Sequence, residues 1–200
     1  MLGATHERLV YGRRIRVLTK HIADVLPRDA QVLDVGSGDG LLAKRVMELR
    51  PDVRIRGVDV LARPTSHIPV EMFDGVTLPF GDYTFDAVMM VDVLHHAIEQ
   101  DALLREMSRV TRGVVVIKDH LVQGVLAHPT LRFMDWVGNV RHGVALPYAY
   151  WTRARWQQAF DGARLRVTQW RDALGLYPFP ANLLFERKLH FVSVLAPRAT

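Results

Sequence analysis

Three glycines follow a short apolar run in the stretch VLDVGSGDG at residues 32–40, and helical spacing of apolar residues resumes directly after them. Gly36, Gly38 and Gly40 lack Cβ atoms, so this turn permits unusual φ/ψ angles and lets a ligand lie against the backbone. A strand-to-helix turn of an open α/β sheet lies where such folds bind ligands. The stretch predicts a nucleotide-like ligand, and a turn with only a packing role is the alternative.

Two aspartates narrow the choice of ligand. Asp59 ends the strand candidate GVD about twenty residues after the glycines, where a carboxylate can accept both hydroxyls of a ribose or make only a local turn bond. Asp34 would repel a pyrophosphate but suits a ligand with a positive group. Leu41 replaces the third glycine of a dinucleotide motif, and no G-K-[ST] of a P-loop follows. An adenosine that carries a cationic group fits this pattern.

The elements that must position these residues alternate between short apolar strand candidates and segments of helical periodicity. Strands are predicted at 31–36, 54–59, 85–91 and 113–119, with a weaker one at 70–75 and two more in RLRVTQW and KLHFVSVLA. Helices are predicted at 6–25, 40–49 and 97–110 and in TRARWQQAF, whereas apolar helix-like pieces after residue 120 are broken by Pro129 and Gly138. This alternation indicates an α/β, doubly wound, mostly parallel sheet with helices on both faces.

Composition restricts the class of protein. A chain of 200 residues, 49% hydrophobic and 24% charged, favours a single domain. Its 26 Lys and Arg against 21 Asp and Glu are scattered along the chain, which argues against a nucleic-acid surface. The absence of cysteine excludes disulfides, thiolate metal sites and a cysteine nucleophile. No segment has the length and apolar character of a membrane span, so we expect a cytoplasmic protein.

Four stretches, in order, resemble the class I S-adenosylmethionine-dependent methyltransferases, particularly the small-molecule group that includes the quinone-biosynthesis methyltransferases. They are VLDVGSGDG, GVDV, FDGVTLPFGDYTFDAVMMVDVLHH and LLREMSRVTRGVVVIKD, and they cover roughly residues 30–120. The resemblance implies a seven-stranded Rossmann-like sheet, one methyltransferase domain over 1–200 with an N-terminal helix in 1–28, and S-adenosylmethionine as cofactor. T-R-G at 111–113 departs from the glycine pair of many relatives and predicts a shorter turn.

The resemblance also implies a set of cofactor-binding residues: Asp34, Gly36, Gly38, Gly40, Asp59, Val60, Asp74, Gly75 and Val91. Asp34 and the glycine turn would hold the methionine part, Asp59 the ribose, and Val60 the adenine.

Two later parts of the sequence complete that implied site. Asp74 and Gly75 resemble the pair that recognises the adenine edge, and Val91 would pass beside the methionine moiety. Because D-G is also an ordinary turn signal, a structural role for Asp74 is the alternative.

Histidines that follow strands are candidate general bases. The cofactor carries an activated methyl group, so a base is needed only if the acceptor must lose a proton. His96 follows the fourth strand and His120 the fifth, and His120 is favoured because it opens the segment expected to hold substrate. Structural roles are the alternative for both. His95 and His96 are adjacent and should point in different directions, without H-E-x-x-H or a second cluster, so no metal site is predicted.

Segments 120–150 and 170–187 depart from the regular alternation and are expected to form substrate or lid insertions. Arg132, Arg141 and Arg153 could meet an anionic group of the substrate. An apolar or aromatic small-molecule acceptor is favoured, and packing of a lid or a homo-oligomer contact is the alternative. The aromatic and apolar side chains behind this expectation are Phe133, Met134, Trp136, Val137, Tyr148, Tyr150 and Trp151.

The expected function is methyl transfer to oxygen, nitrogen or carbon of a small molecule, and two other functions remain open. The basic composition favours an RNA or protein methyltransferase, but there is no RNA-binding domain or arginine-rich tail, and VDVLHH stands where Asn-Pro-Pro-Tyr would follow the fourth strand. A non-catalytic scaffold that keeps the cofactor pocket is the other alternative, because fold does not determine function.

Overall fold

A computed structural model describes residues 2–139 and 148–198 of the chain. The helices are α1 (Leu2–Val25), α2 (Leu41–Leu49), α3 (Gln100–Val110), α4 (Ala127–Asn139), α5 (Arg153–Gly162) and α6 (Asn182–Phe185). The strands are β1 (Gln31–Val35), β2 (Arg54–Asp59), β3 (Val70–Met72), β4 (Phe85–Val91), β5 (Thr111–His120), β6 (Leu165–Arg171) and β7 (His190–Pro197). A 3₁₀ turn, Leu94–His96, follows β4.

The seven strands form one sheet in the order β3-β2-β1-β4-β5-β7-β6. The pairs β1–β2, β1–β4, β2–β3 and β4–β5 are parallel, whereas β7 is antiparallel to both β5 and β6. Strand order reverses between β1 and β4, so the carboxyl ends of these two strands form the topological switch point at which such sheets bind ligands. The predicted mostly parallel, seven-stranded α/β fold is confirmed.

Helices cover both faces of the sheet and create two hydrophobic clusters. Val32 joins the cluster formed with α1 and α2, whereas Leu33 joins the cluster formed with α3 and α5. Successive side chains of a strand point to opposite faces, which explains why neighbouring residues enter different clusters. The near-continuous apolar run of β4 follows from burial on both faces.

Three predicted helices differ from those in the structure, and the first of them, expected at 6–25, already begins at Leu2. The helix expected at 97–110 begins only at Gln100, because Ala97 is extended after the 3₁₀ turn. The break expected at Pro129 and Gly138 is wrong, since α4 runs through both residues. Pro129 occupies the first turn of α4, where its missing N–H leaves no intrahelical bond unmade.

The connection between α3 and β5 is as short as the T-R-G sequence predicts, because β5 begins at Thr111 directly after Val110. Within residues 2–139 and 148–198, no helix combines the length and apolar character needed to cross a bilayer.

Candidate cofactor and acceptor site

The glycine turn after β1 has a conformation that favours glycine at three positions. Gly36, Gly38 and Gly40 have φ angles of 74°, 59° and 73°. A Cβ atom at Gly36 would meet the side chain of Val93, and one at Gly40 would meet Ile68, whereas one at Gly38 would have no heavy atom within 4 Å. Gly36 and Gly40 are therefore needed for packing, and Gly38 leaves open space over the backbone that a ligand can fill.

A cleft of about 560 Å³ lies against this turn. Its walls come from α1, the glycine turn, the 63–65 loop, the ends of β4 and β5, and the inner side of α4. This volume lies in the range of small-molecule and cofactor sites, and the cleft occupies the switch point of the sheet.

Asp34 places a buried carboxylate at the wall of the cleft, with only 3% of the residue exposed. Burial and the neighbouring Asp59 raise the pKa of Asp34 to about 7. Among the described residues no cation pairs with this carboxylate. A buried carboxylate without a partner favours a cationic ligand group, because the ion pair compensates for lost hydration.

Asp59 joins β2 to the glycine turn. Its Oδ2 accepts a hydrogen bond of 2.7 Å from the amide of Gly38, and its Oδ1 accepts one of 2.8 Å from Leu61. The residue is buried and lies just behind the cleft wall. Each carboxylate oxygen retains a further acceptor position, so the ribose role of Asp59 stays a prediction.

The residues expected at the adenine lie together beyond the 560 Å³ cleft. Val60 is half exposed, and a Cβ atom at Gly75 would lie 3.2 Å from its Cγ1. The Asp74 carboxylate accepts hydrogen bonds from the amides of Val76 (2.8 Å) and Thr77 (2.7 Å), which lower its pKa. Asp74 thus makes the hydrogen bonds expected if its role is to form the turn. Its role at the adenine stays a prediction.

The end of β4 contributes Val91 and Asp92 to the cleft. Asp92 has a φ angle of 57°, and its carboxylate contacts Lys118 and, at 2.6 Å, Arg14 of α1. Burial would raise the pKa of Asp92, but Lys118 and Arg14 hold it well below its usual range. Sequence reasoning missed Asp92 and Arg14, because only the folded chain brings α1 against the end of β4.

The opposite end of the cleft is built around His95, which is 2% exposed. Its Nδ1 lies 2.6 Å from Oδ1 of Asp119, and its Nε2 lies 3.3 Å from Oδ2 of Asp135 without the direction of a hydrogen bond. The hydroxyl of Tyr150 donates to the same Asp135 oxygen at 2.5 Å. Burial would lower the pKa of His95, but Asp119 and Asp135 raise it to about 10. His95 is therefore an imidazolium at neutral pH, held between two carboxylates.

The two histidines favoured by the sequence both line the cleft but differ in access. His120 is 2% exposed, and its Nδ1 lies 3.4 Å from Nδ1 of His95. Burial and the positive charge of His95 lower the pKa of His120. His96 is only partly buried. His96 is thus more accessible to a ligand than His120. His95 is a site residue that the sequence analysis did not propose, and its two carboxylate neighbours are far apart in sequence.

Among the residues that the structure describes, two groups of side chains place potential metal ligands within 4.8 Å of one another: His95 with Asp119 and His120, and His95 with His96 and Asp135. In the first group the 2.6 Å contact between His95 and Asp119 is a hydrogen bond, which accounts for its close approach. The absence of a metal stays a prediction.

The aromatic segment is divided between two sides of α4. Met134 and Asp135 line the cleft, whereas Phe133, Trp136 and Val137 lie on the solvent-exposed side.

The remaining residues of the expected substrate segments also have specific positions. Trp151 is buried with its ring 4.8 Å from that of Trp156. Arg132 lies over the ring of Tyr148, and Arg153 lies over that of Trp170. Arg141 lies outside the described residues.

The sheet order with its antiparallel seventh strand, the glycine turn and the switch-point cleft define a class I methyltransferase fold. Residues 33–117 match the family described as "Methyltransferase domain", so this part of the chain is similar to the class I S-adenosylmethionine-dependent methyltransferases.

Two similar proteins are named as methyltransferases. The chain is 35% identical over 113 residues to a demethylmenaquinone methyltransferase of Corynebacterium urealyticum, covering 54% of this chain and 49% of the relative. It is 29% identical over 122 residues to a 27-O-demethylrifamycin SV methyltransferase of Amycolatopsis mediterranei, covering 52% and 44%. The alignments thus span about half the length of these relatives.

Solved structures share the fold across nearly the whole chain. A chain of the complex between the Haloferax volcanii Trm112 methyltransferase activator and a methyltransferase superposes with a TM-score of 0.72 at 18% identity, covering 96% of both chains. The [4+2]-cyclase SpnF superposes with a TM-score of 0.64 at 18% identity, covering 92% of this chain and 80% of that one.

The match to the methyltransferase domain implies S-adenosylmethionine as cofactor, and the cleft fits it. The carboxylate of Asp34 can meet its ammonium group, and the open space over Gly38 admits it against the backbone. A diphosphate-bearing cofactor would instead meet the negative charge of Asp34.

Proposed function

We propose that the chain transfers a methyl group from S-adenosylmethionine to a small-molecule acceptor held at the His95 end of the cleft. One observation carries this proposal: a single cavity extends from the glycine turn and Asp34 to the histidines after β4 and β5. A cofactor held by Asp34 and the glycine turn would lie in the same cavity as these histidines. The names of two relatives, a demethylmenaquinone and a 27-O-demethylrifamycin SV methyltransferase, support a small-molecule acceptor.

The residues at the acceptor end favour an acceptor with a hydrogen-bonding group. Asp135, Tyr150 and the histidines are polar, and Met134 supplies an apolar wall beside them. This setting fits a hydroxylated aromatic compound better than a purely apolar molecule, because polar side chains at a cavity wall are matched better by a polar ligand than by an apolar one. Fewer apolar side chains line the cleft than the sequence analysis expected, so the expectation of an apolar acceptor has less support.

His96 is the proposed general base for an acceptor that must lose a proton. His95 is protonated between Asp119 and Asp135, and His120 is only 2% exposed, whereas His96 is partly exposed. When bound, the cofactor supplies the activated methyl group. The protein aligns the acceptor, keeps water from the cleft and takes the proton at the ring of His96.

Fold alone does not establish this activity, since the [4+2]-cyclase SpnF has the same fold. The test is transfer of a radiolabelled methyl group from S-adenosylmethionine to a panel of hydroquinones, phenols and macrocyclic alcohols, with total RNA and protein as competing acceptors. We expect label in a small molecule only. Cofactor binding without any transfer would favour the scaffold alternative, and label in RNA or protein would overturn the proposed acceptor class.

A variant pair tests the proposed base. His96→Asn should lower kcat with the acceptor by a factor of about 100 to 10,000 while cofactor affinity is kept, because the proton acceptor is removed. His120→Asn is the matched comparison, and a larger loss there would reassign the base to His120.

A further inference from the structure

Large apolar side chains that are exposed to solvent concentrate in two segments. Within the described residues, eight of them lie between positions 125 and 137 or between 179 and 184: Val125, Leu126, Phe133, Trp136, Val137, Phe179, Leu183 and Leu184. Their exposed fractions run from 44% at Val137 to 84% at Val125. Single exposed apolar residues are ordinary, but a concentration of this kind marks an interaction surface.

The two segments pack against each other, so their exposed residues belong to one surface, which we call the α4–α6 face. The rings of Phe133 and Phe185 stack with centroids 6.4 Å apart. The guanidinium of Arg187 donates hydrogen bonds to the carbonyl of Val125 (3.3 Å) and the hydroxyl of Thr130 (2.9 Å). The end of α6 is thereby tied to the start of α4.

When the second segment is extended to residue 188, the exposed formal charges of residues 125–137 and 179–188 are all positive. Arg132, Arg187 and Lys188 are exposed at the face. The two acidic residues of the same segments point elsewhere: Asp135 is buried at the cleft, and the carboxylate of Glu186 accepts amide hydrogen bonds from residues 175–177. Aromatic and aliphatic side chains surrounded by basic ones form the pattern of a protein surface that meets anionic lipid headgroups.

We propose that the α4–α6 face docks on the surface of an anionic lipid bilayer. Trp136 and Phe133 would enter the headgroup region, while Arg132 and Lys188 would meet lipid phosphates. A second copy of the chain fits this face less well, because two-fold pairing would bring these basic side chains close to their own symmetry mates. The inner side of α4 lines the cleft through Met134, so docking brings a cleft wall next to the membrane.

Vesicle flotation with the full chain tests this inference without any measurement of methyl transfer. We expect binding to phosphatidylcholine vesicles that contain phosphatidylglycerol, weaker binding to phosphatidylcholine alone, and release by salt. The double variant Arg132→Gln, Lys188→Gln should weaken binding by roughly tenfold or more, since each basic residue near the surface contributes about a fivefold change.

Apolar variants test the other half of the interaction. Trp136→Ser combined with Leu184→Ser should lower vesicle binding at least roughly tenfold, because two large side chains no longer enter the headgroup region. Ile98→Ser is the matched control, since Ile98 is 93% exposed but lies outside the face. Circular dichroism and cofactor binding should be unchanged in all three variants.

Three outcomes would overturn the inference. The first is absence of binding to the anionic vesicles, and the second is equal loss in the Ile98→Ser control. The third is a wild-type dimer in light scattering that the Trp136→Ser, Leu184→Ser variant converts to a monomer, which would make the face an interface between copies.

Discussion

The amide of Gly38 donates a hydrogen bond of 2.7 Å to Oδ2 of Asp59, so the residue expected to bind the ribose also fixes the turn expected to hold the methionine moiety. Leu61 donates to the other carboxylate oxygen at 2.8 Å. Loss of this carboxylate would leave two backbone amides without their acceptor, in addition to any lost contact with the cofactor.

Asp59→Ala should therefore weaken cofactor binding by about 10- to 100-fold and also lower the unfolding temperature, because charge-assisted hydrogen bonds contribute roughly 1.5 to 3 kcal/mol. Calorimetry with S-adenosylhomocysteine and with its 2′-deoxy analogue separates the two roles. If Asp59 binds the ribose, removal of the 2′-hydroxyl weakens binding to the wild type but not to the variant. Equal weakening in both proteins would leave Asp59 only its role in the turn.

Gly38 of the glycine turn can be compared with Gly124, a glycine after β5 whose φ angle is also positive. Gly38 and Gly124 both have positive φ angles, and a Cβ atom at either has no heavy atom within 4 Å. Each alanine variant should lose about 1 to 2 kcal/mol of stability from the left-handed conformation. Gly38→Ala should also weaken cofactor binding at least roughly tenfold, because its Cβ enters the space at the cleft.

Gly124→Ala serves as the control, since Gly124 lies outside the cleft. Chemical denaturation and calorimetry on both variants check the prediction. Full affinity in Gly38→Ala would restrict the glycines to a packing role.

How far the sequence predicts the fold depends on whether its signals are local. The apolar runs predicted strands at 31–36, 54–59 and 85–91, and the observed strands agree with these bounds within one residue. These strands are buried on both faces of the sheet, so a continuous apolar run is the pattern expected for them. The orientation of α4 was not predictable in this way, because apolar residues occur on both of its sides. Only packing decides that Met134 faces the cleft and Trp136 faces solvent.

The candidate site also combines residues that a local sequence pattern predicts with residues that only the folded chain brings together. The glycine turn, Asp34 and Asp59 are recognisable by spacing after a strand. The position of His95 between Asp119 and Asp135 depends on the ends of β4 and β5 and on α4 coming together, which no local pattern shows. The expectation that the adjacent His95 and His96 point in different directions is wrong, because their ring centroids lie 4.0 Å apart and both residues line the cleft. Adjacency also did not indicate which of them would be buried.

Cofactor binding should depend on pH through Asp34. Burial and Asp59 raise the pKa of Asp34 to about 7, and the ionised carboxylate is the form that pairs with an ammonium group. Affinity should fall about tenfold between pH 8 and pH 6, because about nine tenths of a group with this pKa is protonated at pH 6. Calorimetry across this range should show the decrease, and Asp34→Asn should bind weakly with no such dependence. A flat profile in the wild type would contradict the role of Asp34.

Asp34 should make the stability of the ligand-free protein change with pH in the direction opposite to that of cofactor affinity. Its pKa in the folded state lies above the unfolded value, so protonation favours the folded state and the contribution of Asp34 to stability increases as pH falls from 7 toward 4. Asp34→Asn should accordingly raise the unfolding temperature of the ligand-free protein at pH 8 while it weakens cofactor binding. Denaturation with and without S-adenosylhomocysteine measures both effects, and a less stable ligand-free variant would contradict the assigned pKa.

The His95 ion pairs should stabilise the fold over a different range of pH. Asp119 and Asp135 overcome the effect of burial and raise the pKa of His95 to about 10, above the ordinary value of 6.5. A raised pKa of a basic group means that its stabilisation is complete below pH 6.5 and is lost as pH rises through 10.

His95→Asn would leave two carboxylates without their cation, at a cost of about 3 to 5 kcal/mol at pH 6. Urea denaturation of both proteins at several pH values between 6 and 10 should therefore show the difference in unfolding free energy shrinking as pH rises. His21→Asn is a suitable control, because His21 lies outside the cleft and bonds the carbonyl of Leu174. A difference between His95→Asn and wild type that stays constant up to pH 10 would mean that His95 is neutral in the folded protein.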